Sequence, residues 1–178
     1  IGDRVVVTLI RSCGDCINCK QGQPTLCLTE YDGTNGPLKT LNGDKLMQAM
    51  ACGAFAEKVV VDKSQVVKVS KTISYETAAL MACGVITGIG AVVNAAKIKP
   101  GQNVVVIGAG GVGLNAIQGA RLAGARRIVA VDLSEEKLKI ADEFGATDGI
   151  LATNSSPWKS VNEKLGGGAD AVFVSVGI

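Results

Sequence analysis

Residues 103–132, NVVVIGAGGVGLNAIQGARLAGARRIVAVD, leave the chain little choice of local structure. Residues 104–107 are an unbroken β-branched run, as expected for a parallel strand covered on both faces. The run ends in Gly108-Ala-Gly110-Gly111-Val-Gly113, and an apolar-periodic helix follows through Leu122, with Ala123-Gly124 as its C-terminal stop. A second apolar strand over residues 128–131 ends in Asp132. Gly108 permits the tight turn, Gly110 lets the backbone approach a pyrophosphate, and Gly113 lets helix and strand pack closely. A diphosphate suits the N–H groups and dipole at the helix N-terminus. Asp132 lies about twenty residues past the last glycine, where a carboxylate can accept the hydroxyls of an adenine ribose. The same carboxylate repels a 2′-phosphate, so the unit favours NAD over NADP. The candidate cofactor-binding residues are Gly108, Gly110, Gly111, Gly113 and Asp132.

The other strong signal is Cys13-Gly-Asp-Cys16-Ile-Asn-Cys19 followed by Cys27, a C-x2-C-x2-C-x7-C spacing. Each short interval lets successive thiolates turn onto one point, with Gly14, Gly22 and Pro24 supplying turns. Four thiolates around Zn²⁺ at roughly 2.3 Å make a closed structural site with no open position for substrate. A disulfide framework fits less well, since nothing else suggests a small secreted scaffold. An iron–sulfur cluster also fits less well, because the usual C-x3-C-P continuation is missing.

The rest of the chain supports two domains. Residues 4–10 read as a strand, residues 28–50 as a turn-rich surface excursion beside a possible substrate channel, and residues 54–61 and 66–69 as strands of a β-rich domain. Cys52 reads as a buried small residue. Ser74 can cap a helix carrying Glu76 in its first turn. The uncharged stretch over residues 78–96, with Gly84-x-x-x-Gly88, has the look of a membrane helix. Its glycines, Thr87 and Asn94 favour a buried helix or helix pair of a globular domain instead. Within it, Cys83 is open to two readings, core cysteine or metal ligand. After Asp132, Ser134 caps a helix that stops at Gly145, residues 148–151 form a strand, Ser156-Pro157 starts a helix ended by Gly166, and residues 171–176 form a fourth strand. Alternating β and α elements make this half a doubly wound parallel sheet. Its last strand would present an unpaired edge, a site for association.

Composition narrows the partners. A net charge of +2 with no basic block, and 3% aromatics, argue against nucleic acid and anionic membranes. The chain has no histidine. It begins with Ile1 in what reads as mid-domain and stops just after a strand, as an internal piece of a longer protein would.

The cysteine lobe, ACGVITGIGAVVNAAKIKPG and VVVIGAGGVGL, in that order, resemble the zinc-dependent alcohol dehydrogenases of the medium-chain dehydrogenase/reductase family. Asp32-Gly33-Thr34 and Gly53-Ala-Phe55-Ala-Glu57 look like the branch that includes glutathione-dependent formaldehyde dehydrogenase and bacterial relatives. The resemblance implies an α/β fold: part of a GroES-like irregular β domain over residues 1–84, then the first half of a Rossmann sheet over 85–178. It implies that Cys13, Cys16, Cys19 and Cys27 hold a structural zinc. It makes Cys83 the last protein ligand of a catalytic zinc, sets Thr87 and Val112 near the nicotinamide, and sets Asp132 and Lys137 at the adenosine ribose. The implied protein is a cytoplasmic oxidoreductase, a dimer or tetramer when intact, moving hydride between a small alcohol or aldehyde and NAD. The family's other catalytic-zinc ligands lie upstream of the segment resembling Gly2-Asp3, so the chain alone is expected to be inactive. Glutathione-adduct enzymes carry an arginine shortly after the structural lobe, yet no arginine occurs between Arg11 and Arg121. A non-catalytic NAD-binding or zinc-stabilised interaction module is the alternative.

Overall fold

The computed structural model describes residues 1–33, 36–153 and 156–177. Contacts divide the chain into two units, Ile1–Ala82 and Cys83–Ile178. The first holds little regular structure. Strand β1 (Val5–Val7) pairs antiparallel with β2 (Val66–Lys68), with Val6 opposite Val67. The strand expected over residues 4–10 is therefore shorter, because the ladder lasts only as long as its partner. Helix α1 (Ile17–Lys20) is a single turn inside the cysteine lobe. Residues 54–61, expected as a strand, form none. Here a side chain takes a backbone partner: Gln48 Nε2 donates to the Val60 carbonyl at 2.5 Å. The turn expected at Asn35-Gly36-Pro37 begins outside the described residues, and Thr34 of the Asp32-Gly33-Thr34 motif also lies outside them.

Helix α2 (Tyr75–Leu80) begins as its sequence requires, with the Ser74 hydroxyl accepting the N–H of Thr77 at 3.2 Å. The helical run continues to Ala96 through a π turn (Met81–Val85), α3 (Ile86–Gly90) and a second π turn (Ala91–Ala96). By length and composition this run could cross a membrane. It is one run rather than a helix pair. It is also less buried than expected, with only Ala78, Gly88 and Val92 fully enclosed among its residues. The reason is partial packing: the Gly88–Val92 face meets α4 (Gly111–Leu122) and α2 meets β1, while most of the run's other residues stay exposed or half-buried.

The second unit is built on four parallel strands, β3 (Asn103–Ile107), β4 (Arg127–Asp132), β5 (Asp148–Leu151) and β6 (Ala171–Val174), ordered β5-β4-β3-β6. Alternation along the strands divides the core. Val104, Val106, Ile128 and Ala130 pack with Ile117 and Ala120 of α4 and Ala141 of α5 (Glu135–Glu143). Val105, Val129, Val131 and Ile150 pack with Leu165 of α6 (Pro157–Leu165) on the other face. The last strand ends at Val174, two residues short of the expected limit. It lies at the edge of the described sheet, with Val172 and Val174 exposed.

Candidate dinucleotide site and metal centre

The chain runs from β3 outward to β4 and β5, then returns to place β6 on the opposite side of β3. The carboxyl ends of β3 and β6 therefore flank a topological switch point, where doubly wound sheets open a crevice for ligands. Gly108 sits there with φ +96°, and a Cβ on it would crowd the Ser175 hydroxyl. A Cβ on Gly113 would overlap the Gly108 carbonyl oxygen, so α4 lies directly on the turn. The space a Cβ on Gly110 would take is open. Gly110 precedes the first turn of α4 and offers no side-chain cap, so the N–H groups of Gly111, Val112 and Gly113 lack intrahelical acceptors and can meet an anion.

Asp132 closes the arrangement from β4. Its Oδ2 accepts the N–H of Ala109 at 2.7 Å and its Oδ1 accepts that of Ser134 at 3.0 Å. Partial burial disfavours its charge. The hydrogen bonds from Ala109 and Ser134, with the nearby Lys137 charge, outweigh that and hold the carboxyl below its ordinary value. Lys137 is exposed on the first turn of α5, whose N-terminus Ser134 caps through the Lys137 N–H at 3.4 Å. Thr87 is exposed beside Gly88, and a Cβ on Gly88 would overlap the Val112 carbonyl oxygen. The structure thus brings the Thr87 and Val112 segments together at one helix crossing.

The four cysteines of the first unit converge: their Sγ atoms all lie within 4.8 Å of one another, with Cys13–Cys19 and Cys16–Cys27 at 4.0 Å. A tetrahedron with arms of ~2.3 Å has edges of ~3.8 Å, so the cage suits one Zn²⁺. It is too tight for a cluster of several irons, and all four thiols are free. Backbone N–H groups already point at sulfur: Cys13 donates to Cys27, and Asp15 and Cys16 donate to Cys13. The Thr29 hydroxyl and these N–H groups lower the Cys13 thiol to about 6, whereas burial and neighbouring sulfurs raise Cys19 to about 12. Four sulfurs so close cannot all carry charge without a cation. Neither α1 nor residues 24–26 contain a buried residue, so the lobe has no apolar core to replace the metal.

Cys83 is exposed on the first π turn and belongs to no such cluster; the four-cysteine group is the one ligand-sized assembly among the described residues. The expected alternatives for Cys83 thus narrow, since it is not a core residue. Cys52 is buried as expected, beside Gln65. The excursion after Cys27 lines, with Arg11 and Cys13, a cavity of about 980 Å³. There the Arg11 guanidinium lies 4.8 Å from the Tyr31 ring centroid and 3.5 Å from Asp62. Sequence reasoning missed Ser175, whose carbonyl partners lie 67 and 68 residues away, and Gln48, which joins Tyr31, Cys52 and Val60 in a combination that no local pattern marks.

Residues 1–71 match the alcohol dehydrogenase GroES-like domain, and residues 111–178 match the zinc-binding dehydrogenase family. The chain is 38% identical over 188 residues to an S-(hydroxymethyl)glutathione dehydrogenase of Synechocystis sp., covering 99% of this chain and 50% of that protein. It superposes on the crystal structure of benzyl alcohol dehydrogenase from Acinetobacter calcoaceticus with a TM-score of 0.85 and 34% identity, covering 100% of this chain and 50% of that one. A structure of an NAD-dependent alcohol dehydrogenase gives 0.77 and 33%, covering 96% and 46%. The chain spans about half the length of the curated relatives it matches. With a GroES-like first unit, a doubly wound second unit and these relatives, the chain belongs to the zinc-dependent alcohol dehydrogenase family of the medium-chain dehydrogenases/reductases.

Proposed function

We propose that this chain supplies the zinc-stabilised lobe and the NAD-holding half of an alcohol dehydrogenase that moves hydride between a small alcohol or aldehyde and NAD. The observation that carries the reading is the turn at the β3–β6 switch. Gly108 and Gly113 bring the N-terminus of α4 down onto it, and the Asp132 carboxylate stands at the end of the neighbouring strand. In this reading the free N–H groups of Gly111, Val112 and Gly113 hold the pyrophosphate. Asp132 accepts the ribose hydroxyls with the lone pairs its two backbone bonds leave free, and Lys137 lies beside that ribose. Thr87 and Val112 border the nicotinamide. When bound, NAD supplies the ring that accepts hydride from the alcohol carbon.

Cys13, Cys16, Cys19 and Cys27 fit a structural zinc, whose work is to hold the lobe in place of a core. Cys83 does not fit a catalytic zinc by itself, because no second ligand stands with it among the described residues. No step is therefore assigned through such a metal, and the chain alone is expected to bind NAD without turning over substrate. The intact enzyme in this reading is cytoplasmic and dimeric or tetrameric.

Calorimetric titration with NAD and NADP, combined with zinc analysis, tests the proposal. The expected result is about one zinc per chain, NAD binding at least roughly tenfold tighter than NADP, and no oxidation of benzyl alcohol. A folded, zinc-loaded chain that binds no NAD overturns it.

A further inference from the structure

We infer that Ser175 is a positioning residue for the pyrophosphate turn, setting the peptide orientation at Gly108. The inference rests on the NAD reading above. Gly108 at φ +96° has no Cβ to restrict its torsions, so the direction of its carbonyl is decided by hydrogen bonds and packing. Two neighbouring strands supply them. From β4, the Val131 carbonyl accepts the Gly108 N–H at 2.7 Å, and Asp132 accepts the Ala109 N–H. From the end of β6, the Ser175 N–H donates to the Ile107 carbonyl at 2.9 Å. The Ser175 hydroxyl lies 3.1 Å from that same oxygen and 2.9 Å from the Gly108 carbonyl, so its single proton is shared between consecutive carbonyls.

The Gly108 carbonyl needs this donor because of where it lies. Gly113 packs so closely on it that a Cβ there would overlap the oxygen, which leaves it little room to turn toward water. Without the hydroxyl, the carbonyl has reason to rotate, and rotation carries the adjacent Ala109 N–H and the entry to α4 with it. A phosphate would feel that change directly. A ribose on Asp132 would feel it less, because the carboxylate meets the turn through the Ala109 N–H alone and keeps its second bond, from the Ser134 N–H. Ser175 thus acts through backbone geometry, with no ligand contact of its own.

The test compares two ligands on the zinc-loaded chain: ADP-ribose, which contains the pyrophosphate, by calorimetry, and adenosine, which has ribose hydroxyls but no phosphate, by NMR titration. Ser175→Ala is expected to weaken ADP-ribose about tenfold while adenosine changes less than about twofold. Ser175→Cys keeps the shape with a weaker donor and guards against a folding failure of the alanine variant; it is expected to show the same selective loss. Full ADP-ribose affinity in either folded variant overturns the proposal. Equal losses for both ligands, tracking a lowered Tm, also overturn it, since that is what a merely structural serine would give. If the wild-type chain binds neither ligand, the NAD reading itself fails, an outcome separate from the other two.

Discussion

Asp132 Oδ2 accepts the backbone N–H of Ala109 at 2.7 Å, so the residue that ends one strand braces the turn that ends its neighbour. The bond lowers the carboxyl's pKa despite partial burial, which ties stability to pH. The sign follows from the direction of the shift. Asp132 contributes fully above the unfolded value of ~3.9, and that contribution is lost as pH falls through the lower folded value. Asp132→Asn should therefore be less stable than wild type at pH 7, with the gap closing toward pH 3. Urea unfolding at the two pH values measures it, and a gap that widens in acid contradicts the assignment.

Gly84 and Gly88 lie one helical turn apart but meet different surroundings. A Cβ on Gly88 would overlap the Val112 carbonyl oxygen, while one on Gly84 meets nothing within 4 Å. Gly88→Ala should destabilise the second unit by about 1–3 kcal/mol through forced separation of the helices. Gly84→Ala should be neutral or stabilising by up to ~1 kcal/mol, from helix propensity and a less flexible unfolded chain. Chemical denaturation of the two variants side by side decides it.

The cysteine lobe should depend on its metal. Chelation, or Cys13→Ser, should take zinc from about one per chain to none. It should also open residues 11–31 to proteases while NAD affinity, carried by the second unit, stays within about twofold. Elemental analysis with limited proteolysis reads this out. An equally protected lobe without metal would show that its backbone bonds suffice.

Gln48 is 3% exposed and uses its amide fully: Nε2 donates to the Cys52 and Val60 carbonyls, and Oε1 accepts the Tyr31 hydroxyl at 3.0 Å. Gln48→Ala should cost about 2 kcal/mol by leaving these groups unpaired. Tyr31→Phe, which strands only one bond at a half-buried site, should cost less. Thermal melts of both variants order the effects.

The sequence was most informative where chemistry is local. The convergence of Cys13, Cys16, Cys19 and Cys27 follows from their spacing and the turns between them. The caps at Ser74 and Ser134 follow from a hydroxyl three residues ahead of the N–H it receives. The turn at Gly108 and the close packing at Gly113 follow from the missing Cβ between a β-branched run and a helix. Each of these depends on torsions or on reach within a few residues, so the pattern of side chains alone determined it.

Tertiary structure decided what depends on a partner. Residues 54–61 end in three consecutive valines and resemble a strand, but a ladder needs a neighbour, and Gln48 took the Val60 carbonyl instead. The apolar run ending at Ala96 became a helix that is only partly covered, because α4 meets its Gly88–Val92 face and β1 meets α2 while most of its other residues stay exposed or half-buried. Ser175 lies 67 residues from the carbonyl of Gly108, and nothing in its own neighbourhood marks it. Its role appears only when β6 returns beside β3, because hydrogen bonds between strands are set by register and order, which no local pattern encodes.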